Sequence, residues 1–226
     1  FNFFKLGKFH KKNGIDAAKE LRIHLDYKSN VAPIDIYQDF RTIGIHTFRR
    51  KLKNSKISGL CISHPVAGKC ILINYNEDMY RQRFTAAHEA AHAILNDEED
   101  GVIVSFADNS KDYKEVGANY FASNYLMPPD FLRQLPITNG WSQQIALSWA
   151  NKLKVSTEAL AYALKNANLI DNNTAMMIKE IRVENKFKVD PELSNNLSVK
   201  ALNKKEYLLK KGLSSFYVKL CFEAYQ

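Results

Sequence analysis

The sequence predicts an α+β fold: a small antiparallel sheet packed on one central helix, followed by a helical segment of helix-turn-helix outline. Three observations carry this expectation. Residues 81–96 contain no Pro or Gly, and Phe84, Ala87, Ala91 and Leu95 recur at steps of three and four, the apolar stripe of a helix. Immediately before them, Ile57–Ile62 and Lys69–Asn74 are β-like runs joined by a turn containing Pro65 and Gly68, the pattern of a hairpin. Further on, two helical stretches within residues 142–170 are separated by a tight Val155-Ser156 turn, with Ser156 as N-cap of the second.

The chain has 226 residues, 46% apolar and 12% aromatic, enough to bury a sizeable core. No run approaches the length of a membrane span. The start, Phe-Asn-Phe-Phe-Lys, lacks an initiator Met and the small-residue cleavage site of a signal peptide. Cys61, Cys70 and Cys221 show no close-paired metal spacing and read as reduced thiols of a cytoplasmic protein. The net charge of +8 is unevenly spread. Residues 1–60 carry 13 basic and 5 acidic side chains, residues 61–140 carry 6 and 11, and residues 141–226 carry 13 and 8. An acidic centre suits a cation, and the basic ends read as lysines on solvated faces.

Taken in order, Ile15, Ala18, Leu21, Arg22 and Leu25 give residues 14–26 a helical face. Pro33-Ile34-Asp35-Ile36 opens a second helix whose inner stripe is Ile36, Phe40 and Ile43. Gly44 ends it, and Ile45–Phe48 reads as a short strand. His10, His24, His46 and His64 lack ligand spacing and read as surface or packing residues. The hairpin at 57–74 follows, and a strand edge of this kind can bind an extended peptide through main-chain hydrogen bonds. Past the central helix, Asn96–Gly101 is an acidic, solvated connection, and Val102–Phe106 is another short strand.

The central helix carries the chemistry. In His88-Glu89-Ala90-Ala91-His92 the imidazoles stand one turn apart on one face, so both can reach a single ion. The Glu between them flanks that ion, where it can take a proton from water. This is the His-Glu-x-x-His signature of zinc metallopeptidases, although two buried histidines on a core helix would give the same letters. A tetrahedral zinc needs a third protein ligand. Glu115 is the best candidate, at the start of a helix whose apolar face is Ala118, Phe121, Ala122, Tyr125 and Leu126. Asn119 lies one turn on and can orient a histidine ring by a hydrogen bond. Met127-Pro-Pro closes that helix. Asp112 is the rival ligand, and an exposed first-turn Glu favoured by the helix dipole remains the alternative for Glu115.

The hairpin, Arg81-Gln-Arg-Phe-Thr-Ala-Ala-His-Glu-x-x-His, Glu115-Val-x-Ala-Asn-x-Phe-Ala and Leu126-Met-Pro together resemble the ImmA/IrrE family of metallopeptidases, over roughly residues 15–170. The resemblance implies a zincin-like core of the gluzincin type, with His88, His92 and Glu115 as zinc ligands and Glu89 as the catalytic glutamate. It also implies a cytoplasmic protein, often of a mobile element, that cleaves a helix-turn-helix repressor and releases gene expression under stress. Two departures from the family pattern are Gly117, where many members have an acidic residue, and Ala90-Ala91, where Leu-Gly is common. Manganese or iron(II) suits the same ligand set. The expected mechanism is metal-assisted hydrolysis with Glu89 as general base. Tyr113 and Tyr120 both remain open as the oxyanion donor.

The helix pair within 142–170 has few base-reading side chains on its second helix, only Thr157, Glu158 and Tyr162 with Lys165 beyond, which argues against direct DNA binding. It reads as a packing element. Residues 171–200 read as a polar linker with a short strand around Met177–Val183, and the tail as two short helices whose Phe216, Tyr217, Leu220 and Phe222 need a partner surface. The expected division is a core at 1–140, the helix pair at 141–170, and a linker with a helical extension at 171–226. The competing functional reading is a metal-stabilised module that binds a repressor or DNA without cutting.

Overall fold

The computed structural model describes residues 9–53, 56–95, 101–106, 113–137, 140–185, 188–193 and 196–225. Asp112 and most of the acidic stretch 96–101 lie outside them. The chain opens with α1 (His10–His24), α2 (Ile36–Thr42) and three strands, β1 (His46–Arg50), β2 (Ile57–His64) and β3 (Gly68–Asn74). Then come the central helix α3 (Met79–Leu95), β4 (Val102–Phe106), α4 (Tyr113–Leu126) and the short α5 (Pro129–Arg133). Five helices complete the described chain: α6 (Gln143–Leu153), α7 (Thr157–Asn166), α8 (Asn172–Glu180), α9 (Val199–Lys210) and α10 (Ser215–Tyr225). No helix among the described residues is long and apolar enough to cross a membrane.

The four strands form one sheet in the order β1-β3-β2-β4. The β2–β3 hairpin is antiparallel, with Cys61 opposite Ile71, and β4 joins β2 antiparallel, with Leu60 opposite Val104. β1 corrects the expectation of a purely antiparallel sheet: it runs parallel to β3, with Phe48 opposite Leu72. The cause is topological. After β1 the chain crosses to the far side of β3 to lay down β2, then returns through β3 in the direction of β1. Alternation decides the faces. Cys61, Ile71 and Ile73 point inward with 0% exposure, against α3.

α3 is buried nearly all round, as a helix between a sheet and other helices must be. Ala86, Ala87, Ala90, Ala91 and Ala93 are all fully buried, and these small side chains let neighbouring backbone come close. α4 packs on both α3 and α1, and its Ala118, Phe121, Ala122 and Tyr125 are each at 0% exposure. α1 lies across the outside of α4, and Gly117 shows its purpose there. A Cβ on Gly14 would sit 2.1 Å from the Gly117 carbonyl oxygen, and one on Gly117 would sit 3.0 Å from the His10 carbonyl oxygen. The glycine inside α4 is therefore a contact point between helices.

Buried arginines tie the loops to this core. Arg22 donates to the carbonyls of Tyr125, Lys28 and Val31. Arg83, 0% exposed, donates to the carbonyls of Pro33, Ile34 and Lys154, joining α3 to the α2 entry and to the α6–α7 turn. Arg49 on β1 pairs with Asp190 at 2.6 Å and with Glu192 at 2.8 Å.

Two further expectations change. The strand expected around Met177–Val183 is helical through Glu180, because the Asp171 side chain caps Thr174 N and Ala175 and Ile178 turn inward. The polar stretch around Asp190 is anchored on β1 by Arg49. At the tail, Phe216 packs against Phe48 and under the Arg41 guanidinium, and Tyr217 meets Phe48 edge-on, whereas Phe222 stays 68% exposed. The scattered histidines pack as expected: His10 stacks on Tyr113, His46 tilts against Phe216, and His64 Nδ1 accepts from the backbone of Val66 and Ala67. None of the three cysteines forms a disulfide among the described residues.

Because helices that meet at glycine have no slack for a methyl group, Gly14→Ala will destabilise the fold by about 1–3 kcal/mol. Denaturant unfolding of both proteins measures this directly.

Candidate metal centre

The site is assembled from α3, α4 and β2. His88 and His92 project from one face of α3, and Glu115 comes from the first turn of α4. Their ligand atoms all lie within 4.8 Å of one another. His88 Nε2 is 3.2 Å from His92 Nε2, and Glu115 places Oε2 at 3.0 Å from the first and Oε1 at 3.4 Å from the second. All three residues are buried.

The chemistry of this donor set asks for a cation. Burial pushes the Glu115 carboxyl up, but the hydrogen bonds and charges of His88 and His92 outweigh it and hold the group at about 2. It is an anion throughout the neutral range. His88 Nδ1 lies 3.0 Å from Asn119 Oδ1 and can donate its N–H there, so that in place of the proton shared with Glu115 the Nε2 lone pair would be free to take a metal ion. Ligand atoms about 2.1 Å from a tetrahedral ion stand about 3.4 Å apart, close to the separations seen here. The group is able to hold a metal ion.

Glu89 follows His88 on α3 and is fully buried, on the side facing β2. A Cβ on Gly59 would stand 2.6 Å from Glu89 Oε1 and 2.8 Å from the Thr85 methyl, so glycine is what allows the strand to lie against this carboxylate. A cluster around Glu77 pins the same strand to α3. Ser58 Oγ donates to Glu77 Oε1 at 2.6 Å, Thr85 Oγ1 donates to Oε2 at 3.3 Å, and Arg81 pairs with Glu77 at 3.1 Å.

These residues open on a cleft of about 1110 Å³. His88, Glu89, Glu115 and Asn119 line it on one side, and Glu158 and Tyr162 of α7 on another. Of the two tyrosines left open by sequence, Tyr120 lines the cleft, beneath Lys11 Nζ at 4.4 Å from its ring. Tyr113 is 75% exposed, stacks on His10, and is not among the lining residues.

The structure thus brings His88, Glu89, His92, Glu115 and Asn119 to one place, and leaves the rival Asp112 outside the described residues. Sequence reasoning missed Gly59, the Glu77 cluster and the cleft wall beyond α7. Glu77 lies 19 residues from Ser58 and 8 from Thr85, and no local pattern connects them.

Residues 40–165 match the model of the IrrE N-terminal-like domain, peptidase family M78. The chain belongs to this peptidase family. The match contains His88, Glu89, His92 and Glu115, begins inside α2 and ends inside α7. It agrees with the ImmA/IrrE resemblance and starts later than the residue 15 expected from sequence. No curated protein matches the chain. As an M78 member, the protein belongs to a family of metallopeptidases, and its His-His-Glu group could hold a metal ion.

With Asn119 Oδ1 at 3.0 Å from His88 Nδ1, Asn119→Ala is expected to weaken the affinity for a divalent probe ion such as added zinc about 10–100-fold, as losses of such supporting groups do elsewhere. Competition against a chelating dye measures the change, and an unaltered affinity would show that the ring is held by packing alone.

Proposed function

We propose that this protein is a zinc-dependent endopeptidase with a zincin-like core, acting on a specific protein substrate, a helix-turn-helix transcriptional repressor. The observation that carries the reading is the convergence of His88, His92 and Glu115 within 4.8 Å beside Glu89, in a cleft large enough for a peptide segment. His88, His92 and Glu115 would hold the ion. When bound, it would supply a Lewis acid that acidifies water and polarises the scissile carbonyl.

The remaining chemistry belongs to the chain. Glu89 accepts the proton of the attacking water on its carboxylate and returns it to the leaving amine nitrogen. Its burial against Gly59 keeps that carboxylate in one place and away from bulk water. Asn119 keeps the His88 ring turned towards the ligand group. Of the two tyrosines, Tyr120 lines the cleft, which supports it as the donor to the developing oxyanion. β4 pairs with β2 alone among the described residues, and its register sets Ser105 opposite Gly59, beside Glu89. The outer edge of β4 therefore offers main-chain groups to an extended substrate close to the reacting carboxylate.

Glu89→Gln removes the proton acceptor and keeps the shape. Co-expression with a candidate helix-turn-helix repressor will yield fragments with the wild-type protein and intact repressor with Glu89→Gln, read on a gel. Equal fragments in both lanes would remove Glu89 from the mechanism. An intact repressor with wild-type protein whose metal is bound would reject this substrate.

A further inference from the structure

The cleft has a wall that lies outside the family match. The match ends at residue 165, yet Ile181, Arg182, Val183, Asn185 and Lys188 all line the cleft. This wall is fastened at both ends. Buried Thr157, at the start of α7, donates from Oγ1 to the Ile181 carbonyl at 2.6 Å. At the other end Lys188 bonds Asp78 and Asn185, and the chain then runs directly into Asp190 and Glu192, held by Arg49.

Charge pairing singles out one residue on this wall. Among the arginines and lysines lining the cleft, Arg81 is paired with Glu77 and Lys188 with Asp78. Arg182 is exposed and makes no ion pair or hydrogen bond among the described residues. Of the other lining carboxylates, Glu115 faces the histidines, Glu158 stands 3.7 Å from Lys179, and Glu89 is buried against Gly59. A guanidinium on a tethered backbone, facing a peptide-sized cleft, is a ready partner for a carboxylate that arrives with the substrate, because little further ordering is needed.

We propose that residues 181–185 with Lys188 form a specificity wall, and that Arg182 on it receives an acidic side chain of the protein substrate at a fixed distance from the cleaved bond. This rests on the peptidase reading above.

The test uses the full chain loaded with zinc, as wild type, Arg182→Ala, Arg182→Glu and Arg182→Lys, on a proteome-derived peptide library with cut sites read by mass spectrometry. Wild type will show Asp or Glu enriched at one position relative to the cut. In Arg182→Ala that enrichment falls roughly fivefold, the scale of a single partly exposed charge pair. Arg182→Glu shifts the preference towards Lys and Arg, and Arg182→Lys restores part of the acidic preference. On one acidic peptide the loss in Arg182→Ala falls mainly on KM. Cuts without acidic enrichment, or enrichment unchanged in Arg182→Ala, overturn the proposal and leave the peptidase intact. No cuts by zinc-bound wild type overturn the peptidase reading, and this inference with it.

Discussion

Three ligand atoms from two helices must meet within 4.8 Å, and this convergence constrains the rest of the structure. The histidines present no difficulty, since one turn of α3 sets their separation. Glu115 has to be delivered by another helix to 3.0 Å and 3.4 Å from their rings. That requires α4 to lie close against α3, which the fully buried alanines on α3 permit. α1 then presses on α4 from outside at Gly14 and Gly117, where a single methyl group would collide with backbone. The helix-weakening effect of glycine, roughly 1 kcal/mol relative to alanine, is offset here by a contact that no other residue allows.

Charge does a different task. Arg22, Arg49 and Arg83 are buried, and each joins segments far apart in sequence. Arg83 satisfies its donors on three backbone carbonyls and on no carboxylate, and burial pulls its pKa below the usual arginine value. Arg49 is a true buried ion pair, with its guanidinium also 4.5 Å from the Tyr37 ring. Such a pair contributes little net stability once desolvation is counted, yet losing one partner strands a charge at a cost of about 3–5 kcal/mol. Its effect is to fix a position: Arg49 holds Asp190 and Glu192 against β1, while Lys188 reaches Asp78. That placement brings the preceding residues into the cleft wall.

The surroundings of the Glu89 carboxylate and the cleft are built by several elements around the helix. β2 closes on Glu89 through Gly59, and the Glu77 cluster locks that strand to α3. On the opposite side α7 and the segment after α8 supply the wall. The metal group is therefore a feature of the family-matched part of the chain, whereas the surface that would meet a substrate draws on residues beyond it.

Much was legible in the letters. The apolar stripe of α3, the hairpin, the Ser156 cap and the spacing of His88 and His92 are patterns contained in short continuous stretches, and local hydrogen bonding enforces them. Asn119 was legible for the same reason, one helical turn from Glu115. The parallel placement of β1 was not, because a strand's own pattern does not say which side of its neighbour it joins. Nor was the helix at 172–180, whose inward face of Ala175 and Ile178 is too narrow to outweigh a polar composition. The sequence by itself determined that His88 and His92 share one face of a helix one turn apart, since that separation follows from regular helix geometry. The tertiary structure alone decided that Gly59 and Gly117 are contact points, that Arg49 secures Asp190, and that Arg182 faces the cleft. Those depend on which distant segments come to lie side by side, and that is settled by packing of the whole core.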